Sequence, residues 1–255
     1  MKISVITPSV RPEGLDMVRS CLNRQTFKDW EWIVVSPFEY KEAIWVPEPP
    51  KPEGYNYNLN RAWNTSFKKA RGELFVSIVD MMWFDPETLE NLWYHYHFDK
   101  MQCIGGVGHH YEYEWGGRPE SLVWTDPRVR GQEQFYQISP IDFELCLASI
   151  PLQAIHAVGG MDEVFDQYAA MSEKELCARI EKLGYTFWID QTLEYRAIHH
   201  PRLTKDWDDR YFAGVPYFQQ CLSDIQSGKR RKLDFLSQKD YIKENGVSEK
   251  EPASE

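Results

Sequence analysis

The sequence has few cysteines and no long hydrophobic run. Its five cysteines are odd in number and no pair has the C-x-x-C spacing, which argues against a disulfide scaffold and a zinc ribbon. The N-terminal apolar run stops at Pro8 after about five residues, too few for a signal peptide. No stretch approaches the ~20 apolar residues that a membrane span requires. We therefore expect no transmembrane segment and a cytoplasmic location.

Positive charge is also scarce. The chain has 29 Lys and Arg residues against 39 Asp and Glu residues, which gives a formal net charge of −10. A field of this sign repels polyanions and argues against a general footprint for nucleic acid or acidic lipid. One local basic run, Lys-Arg-Arg-Lys at 229–232, is predicted to be a solvated helix end or loop, with a basic groove as the alternative.

Three familiar motifs are missing: the P-loop, a G-x-G-x-x-G after a strand, and the G-x-S-x-G elbow. Their absence argues against P-loop nucleotide hydrolysis, Rossmann dinucleotide binding and α/β-hydrolase chemistry. Aromatic residues, in contrast, make up 15% of the chain, within a hydrophobic fraction of 42% that is typical of a globular protein. We expect most of the aromatic rings to fill the core and the rest to be able to stack on sugars or nucleobases.

Short apolar runs alternate with apolar stripes at helical spacing. The runs predict strands at 3–7, 30–35, 43–46, 74–79, 101–107, 186–189 and 193–198. The stripes predict helices at 13–25, 59–70, 89–96, 151–158, 173–183 and 204–227. This order predicts an α/β fold with a mostly parallel central sheet and helices on both faces. Residues 108–140 show little periodicity and are expected to form a long excursion over the site.

Several polar residues follow predicted strands. In parallel sheets, ligands bind at the carboxyl ends of the strands, so residues 7–11, Ser36 and Asp80 are expected to lie together. Asp80 is the sharpest candidate, because a carboxylate just beyond a buried strand can hold a divalent cation or bind a ligand hydroxyl. The same position also suits a helix N-cap or a structural aspartate.

Two glutamates begin the helix predicted at 173–183. Glu173 and Glu175 are two residues apart, about 200° around a helix, so they cannot both face one cleft. Ser172 suits the N-cap position, and a glutamate in the first turn favours the helix dipole. Glu173 is thus either a dipole-complementing residue or a general base at the mouth of the helix.

Histidines occur in two adjacent pairs, at 109–110 and 199–200. Adjacent side chains of an extended chain point to opposite faces, so at most one of His199 and His200 can readily enter a site. A neutral imidazole there could complete a metal site with Asp80. The spacing does not predict zinc, because neither an H-E-x-x-H pattern nor cysteine ligands accompany the histidines.

Four segments carry a family resemblance. They are 3–9 with 25–35, then 60–73, then 79–86, and finally 159–163 with 173–179. The second is similar to an A-R-N-x-G-x-x-x-A-x-G-E helix, the third stands in the place of a D-x-D loop, and the fourth is similar to G-G-x-D-E followed by E-D-x-D-L-x-x-R. In this order they resemble the GT-A fold glycosyltransferases of family two, which depend on nucleotide sugars and usually invert the anomeric centre.

The resemblance implies a Rossmann-like GT-A catalytic domain over residues 1–200. Its nucleotide-binding part would cover about 1–107 and its acceptor side about 108–200. A C-terminal helical extension would follow at 201–236, and a polar, disordered tail at 237–255.

The resemblance also implies roles for individual residues. Asp80 would lie at the donor diphosphate and its Mn²⁺ or Mg²⁺ ion, with His199 or His200 as a further metal ligand. Glu173 falls at the position of the catalytic base, and the resemblance implies a catalytic role for Asp80 as well. The residues expected to bind the donor are Thr7, Pro8, Ser9, Arg11, Ser36, Asn60 and Asn64.

The sequence departs from the family pattern at the donor site. Ser36 stands where an aspartate usually ends the second strand, and Met81 and Met82 follow Asp80 where further aspartates are common. A site with one carboxylate binds metal weakly. The metal could then bind mainly through the diphosphate or be dispensable, with Arg11, Arg61 or Lys205 neutralising the leaving group.

The implied reaction moves a sugar from a nucleotide sugar, such as a UDP-sugar, to an acceptor hydroxyl by single displacement with inversion. The acceptor could be a saccharide, a lipid-linked sugar, a protein or a modified nucleobase in DNA. One alternative is a degenerate module that only binds sugar nucleotides or a partner. Another is a nucleotidyltransferase, although residues 9–14 are too poor in glycine for its phosphate loop.

Overall fold

The computed structural model describes residues 1–55, 58–112, 121–199, 206–230 and 232–233. The strands in this part of the chain are β1 (Ile3–Pro8), β2 (Trp30–Ser36), β3 (Ile44–Pro47), β4 (Leu74–Ile78), β5 (Met82–Phe84), β6 (Gln102–Tyr111), β7 (Leu122–Thr125), β8 (Phe135–Ile138), β9 (Leu147–Pro151) and β10 (Thr186–Ile198). The helices are α1 (Pro12–Asn23), α2 (Leu59–Lys69), α3 (Thr88–Phe98), α4 (Leu152–Val158), α5 (Ser172–Glu181) and α6 (Trp207–Gln226).

All ten strands join one sheet, in the order β3-β2-β1-β4-β9-β6-β10-β5, with β7 paired to β6 and β8 paired to β10. The first four strands of this order are parallel, and so are β6 and β10. Strand β9 runs antiparallel between β4 and β6. The carboxyl ends of the parallel strands therefore meet at one edge of the sheet, together with the beginning of β9.

The sheet buries apolar side chains on both faces, and the predicted α/β class is confirmed. On one face α1 and α3 pack through residues such as Leu15 and Leu92. On the other face α2, α4 and α5 pack through residues such as Phe67, Ile155 and Leu176. Each of these helices presents one apolar stripe, as its spacing in the sequence predicts.

The structure differs from the sequence-based expectation in four elements. The two strands expected at 186–198 are one strand, β10, with an irregularity in its pairing between Ile189 and Glu194. The excursion at 108–140 contains the end of β6 and the strands β7 and β8, and β5 was not expected. These strands escape sequence patterns because they are short, and because every residue of β7 is exposed.

The helix α5 begins one residue earlier than expected. Ser172 is its first residue rather than its N-cap, and Met171 occupies the N-cap position with a left-handed φ of 72°. Farther along, α6 confirms the helix predicted at 204–227 over its described part, and the division of the chain into a catalytic domain and an extension stays a prediction. None of the helices in the described ranges combines the length and apolarity that a bilayer crossing requires. The predicted polar tail at 237–255 lies outside the described residues.

Candidate functional site

Asp80 lies just beyond β4 at the carboxyl edge of the sheet, and only 6% of its surface is exposed. The Arg11 guanidinium donates to both carboxylate oxygens, from Nε to Oδ2 at 3.0 Å and from Nη2 to Oδ1 at 2.6 Å. The Ser9 hydroxyl donates to Oδ2 at 2.6 Å. This two-pronged pair is a strong form of charge-assisted hydrogen bond. Asp80 is thus held by two residues that follow β1.

Close packing of α1 against the end of β4 makes this arrangement possible. A Cβ atom on Gly14 would lie 2.9 Å from the Asp80 Cβ, so a side chain there would force the helix away. Met81 has a left-handed φ of 62°, which turns the chain sharply after Asp80. The beginning of α1, with Arg11 immediately before it, is therefore held directly against the strand end.

Other residues expected at the donor site lie at the same edge with their side chains already bonded. Thr7 is fully buried, and its hydroxyl accepts a hydrogen bond from Trp32 Nε1 at 3.0 Å. Ser36 is also fully buried and donates to the Phe38 carbonyl at 2.5 Å. Pro8 is half-buried at the end of β1. Of the donor-binding candidates, only Ser9 and Arg11 contact Asp80 through their side chains.

Asn60 and Asn64 belong to a different network. Asn60 donates from its backbone and side chain to Asp166 Oδ1, at 2.8 and 2.9 Å. The Asn64 amide donates to the Met161 carbonyl and to Glu163 Oε1, both at 2.9 Å. These bonds tie α2 to residues 161–166. The two asparagines therefore stabilise the fold, and their role at the donor stays a prediction.

The two glutamates of α5 have different surroundings. Glu175 is fully buried, and it pairs with Arg179 at 2.7 Å and with Arg230 at 2.6 Å. Glu173 is only partly buried. Burial and the neighbouring Glu144 carboxylate raise the pKa of Glu173 to about 7, against opposing effects of Lys174 and Arg128. Glu173 is therefore the one with exposed surface and with a pKa suited to proton transfer near neutrality.

Cys146 connects Glu173 to the end of β4. The Cys146 carbonyl accepts a hydrogen bond from the Val79 N–H at 3.2 Å, which places it next to Asp80 in the sheet. Burial, together with the charges of Glu144 and Glu173, raises the pKa of the Cys146 thiol to about 12. Glu173 thus lies within electrostatic range of Cys146, whose carbonyl is bonded to the residue before Asp80.

Arg128 was not a candidate on sequence grounds, yet it lies close enough to Glu173 to lower the pKa of that carboxyl group. Arg128 pairs with Asp126 at 2.5 Å and with Glu144 at 3.3 Å. Its Nη1 atom is buried and has no hydrogen-bond partner among the described residues. The Arg128 N–H donates to Asp126 Oδ1 at 2.8 Å, which forms the tight turn typical of Asp-Pro segments. That dipeptide was the only available signal.

The residues at Asp80 do not fit a divalent cation as they stand. Both carboxylate oxygens are bound by Arg11 and Ser9, and the described ranges hold no group of three or more His, Cys, Asp and Glu side chains arranged for a metal. His199 lies at the same edge, where its N–H donates to the Tyr111 carbonyl at 2.5 Å, and its side chain is exposed. His200 lies outside the described residues. The metal-binding roles of Asp80, His199 and His200 stay predictions.

Comparison with known proteins identifies the fold. No protein-family model matches the sequence, and no curated protein matches it. Among solved structures, the chain is similar to the crystal structure of GalNAc-T7 with UDP, GalNAc and Mn²⁺, at a TM-score of 0.60 and 14% sequence identity. The match covers 96% of this chain and 56% of that one, so the chain spans about half the length of its structural neighbour. The architecture is therefore the GT-A fold of glycosyltransferases.

Proposed function

We propose that the protein is a glycosyltransferase that moves a sugar from a nucleotide sugar, most simply a UDP-sugar, to an acceptor hydroxyl with inversion. The GT-A fold supports this, as does the UDP bound to the structural neighbour. The observation that carries the proposal is the position of Glu173, a carboxyl group with a pKa raised to about 7, close enough to Cys146 to act on its charge, where Cys146 is bonded to the residue before Asp80. Membership of family two is part of the proposal.

The proposed reaction is a single displacement. The acceptor oxygen attacks the anomeric carbon while its proton passes to the Glu173 carboxylate. The bond from that carbon to the diphosphate oxygen breaks, and its electron pair stays on the departing nucleoside diphosphate. A positioned base of this kind contributes about 10²–10⁴ in rate. Ser9, Arg11 and Asp80 form the donor side of the proposed site.

A divalent cation remains part of the prediction for the donor side. The Mn²⁺ in the structural neighbour supports Mn²⁺ or Mg²⁺, which would stabilise charge on the leaving diphosphate when bound. The pairing of Asp80 with Arg11 argues against a cation at that carboxylate. We therefore assign no step of the mechanism to a metal.

The acceptor side is proposed to lie within residues 108–200, where Arg128, Glu144 and Glu173 meet. The buried Nη1 of Arg128, which has no partner within the described ranges, is a donor that an acceptor hydroxyl could satisfy. A saccharide, a lipid-linked sugar, a protein and a modified DNA base remain the acceptor candidates. A cytoplasmic location remains the prediction of the cysteine pattern.

The first experiment combines donor screening with one substitution. A thermal-shift screen of nucleoside diphosphates and their sugars selects the donor, and release of the nucleoside diphosphate then measures turnover. We expect Glu173→Gln to lower turnover at least about a hundredfold, because the amide cannot accept the proton. Glu181→Gln is the matched control, since Glu181 is exposed at the end of the same helix. Full activity of Glu173→Gln would remove Glu173 as the base.

A sugar-nucleotide-binding module without turnover is the second candidate. The engagement of both Asp80 oxygens by Arg11 and Ser9 favours it, because it leaves no free carboxylate at the donor side. The pKa of Glu173 opposes it, because a binding module needs no base poised near neutrality. Donor binding without hydrolysis or transfer, with and without Mn²⁺, would establish this alternative.

A further inference from the structure

The Arg11–Asp80 pair leaves part of the guanidinium free. Asp80 is 6% exposed on its side chain, whereas 21% of the Arg11 side chain is exposed. The pair uses Nε and Nη2 of Arg11, and no described residue bonds to Nη1. An arginine side chain has five N–H donors, so several remain available at the edge of the sheet. Asp80 therefore fixes the guanidinium through Nε and Nη2 and leaves Nη1 without a bond to any described residue.

These free donors match the chemistry of a diphosphate. A guanidinium presents paired N–H groups that suit the spacing of phosphate oxygens. Arg11 also lies directly before α1, where the unpaired N–H groups of the helix end favour negative charge. The buried Asp80 below and the Ser9 hydroxyl beside it keep the arginine from reorienting when an anion arrives.

We propose that Arg11, oriented by Asp80 and Ser9, binds the diphosphate of the donor, so that donor binding requires no divalent cation. The inference rests on the proposed function and assigns the counter-charge within it. As the sugar leaves, negative charge develops on the diphosphate oxygen next to the guanidinium. Asp80 then acts as a positioning residue for Arg11.

A cation at Asp80 would face two obstacles. It would have to displace a two-pronged arginine from a carboxylate that is almost fully buried. In addition, the next two residues, Met81 and Met82, offer thioether side chains where such a cation needs hard oxygen ligands. The donor set at this strand end thus suits a cationic side chain better than a bound ion.

Calorimetric titration of the native protein tests the inference. UDP, GDP, CDP and dTDP are each titrated in excess EDTA and again in excess Mn²⁺. We expect the best of them to bind in EDTA with a Kd within about threefold of its value in Mn²⁺, because Arg11 already supplies the charge. This comparison needs no variant and therefore does not depend on the folding of one.

Substitution of Arg11 provides the second arm. Arg11→Gln is expected to weaken binding of that diphosphate in EDTA at least about tenfold, since it loses charge-assisted hydrogen bonds. Arg11→Lys keeps the positive charge but loses the paired N–H donors. Its Kd for that diphosphate in EDTA is therefore expected to lie between the values for the native protein and for Arg11→Gln. Arg19→Gln is the matched control, because Arg19 lies on α1 and pairs only with Asp16 and Glu42 among the described residues. Thermal melts establish that each variant is folded.

Each contrary result has a distinct meaning. Binding that needs Mn²⁺ would overturn the inference and leave the proposed glycosyltransferase intact. Tighter binding of Arg11→Gln in Mn²⁺ would overturn it as well, because it would mean that Arg11 merely blocks a metal-binding carboxylate. If no diphosphate binds under either condition, the proposed function and the inference both fail.

Discussion

Glu173 and Glu175 begin the same helix, yet their surroundings give them different chemistry. Both oxygens of Glu175 accept hydrogen bonds from Arg179, and Arg230 adds a further bond to one of them. Glu173 lies beside Glu144 and Cys146, where a nearby like charge and burial disfavour the ionised form. Glu173, which forms no ion pair with any described residue, is the carboxylate suited to exchange protons.

At this scale the pKa of Glu173 predicts the pH dependence of turnover. The carboxylate is the active form, so turnover should fall as pH drops through about 7. The Glu144 charge raises this pKa, and Glu144→Gln should therefore lower it and extend activity toward acid by about half a unit. The measurement is kcat/KM across pH 5 to 9 for both proteins.

Glu133→Gln serves as the control for Glu144→Gln. Glu133 is an exposed glutamate that pairs only with Arg130 at the surface among the described residues. Its pH profile should superimpose on that of the native protein. An acid limb that does not move in Glu144→Gln would show that another group limits turnover.

Among the elements, the segment after α6 packs against the rest of the domain, although its basic composition predicts a solvated segment. The basic run at 229–232 was expected to be solvated, but Arg230 bonds to Asp162 and Glu175, with 18% of its side chain exposed. The Leu233 N–H donates to the Val158 carbonyl at 2.9 Å. Gly159, with a left-handed φ of 76°, leaves room for Leu233, since a Cβ there would overlap the Leu233 carbonyl.

This docking predicts a stability effect. Arg230→Gln should lower the free energy of unfolding by about 2–4 kcal/mol, because Asp162 and Glu175 would lose a shared, largely buried cation. The melting temperature should fall by about 5–15 °C. Lys229→Gln, at an exposed neighbour in the same run, should change stability by less than about 0.5 kcal/mol. Equal melting temperatures for the two variants would mean that the segment does not stabilise the domain.

For the whole molecule, charge bears on the choice of acceptor. The formal net charge is −10, and Asp126, Glu144 and Glu173 surround the proposed acceptor side, with Arg128 as their nearby cation. In the described part of the basic run, Arg230 is committed to internal ion pairs. Such a surface should disfavour DNA and favour an acceptor without charge.

We therefore expect weak binding to DNA. Fluorescence anisotropy with a labelled single strand of about 20 nucleotides in about 50 mM salt should give a Kd above about 100 µM. Binding of a neutral oligosaccharide that accepts sugar should not depend on the salt concentration in the same assay. A Kd for DNA below about 10 µM with a steep salt dependence would instead favour the modified nucleobase as the acceptor.

Much of the fold could be predicted from local patterns. The strands β1, β2 and β4 and the helices α1, α2 and α5 appear within a few residues of their expected positions, because buried faces impose strict spacing on apolar residues. The short strands β5, β7 and β8 could not be predicted in this way. Strands β5 and β8 are held by pairing to the distant strand β10, β7 pairs with the preceding strand β6, and all three have little periodicity of their own.

The chain's local sequence was enough to single out Asp80 and Glu173, since each sits at a recognisable boundary between a buried run and a polar one. It could not show that Arg230 would pair with Glu175, that Arg11 would cover Asp80, or that Arg128 would join Glu144. Partners of this kind lie up to 69 residues apart. Their meeting depends on how strands and helices pack in three dimensions, and so only the tertiary structure resolves it.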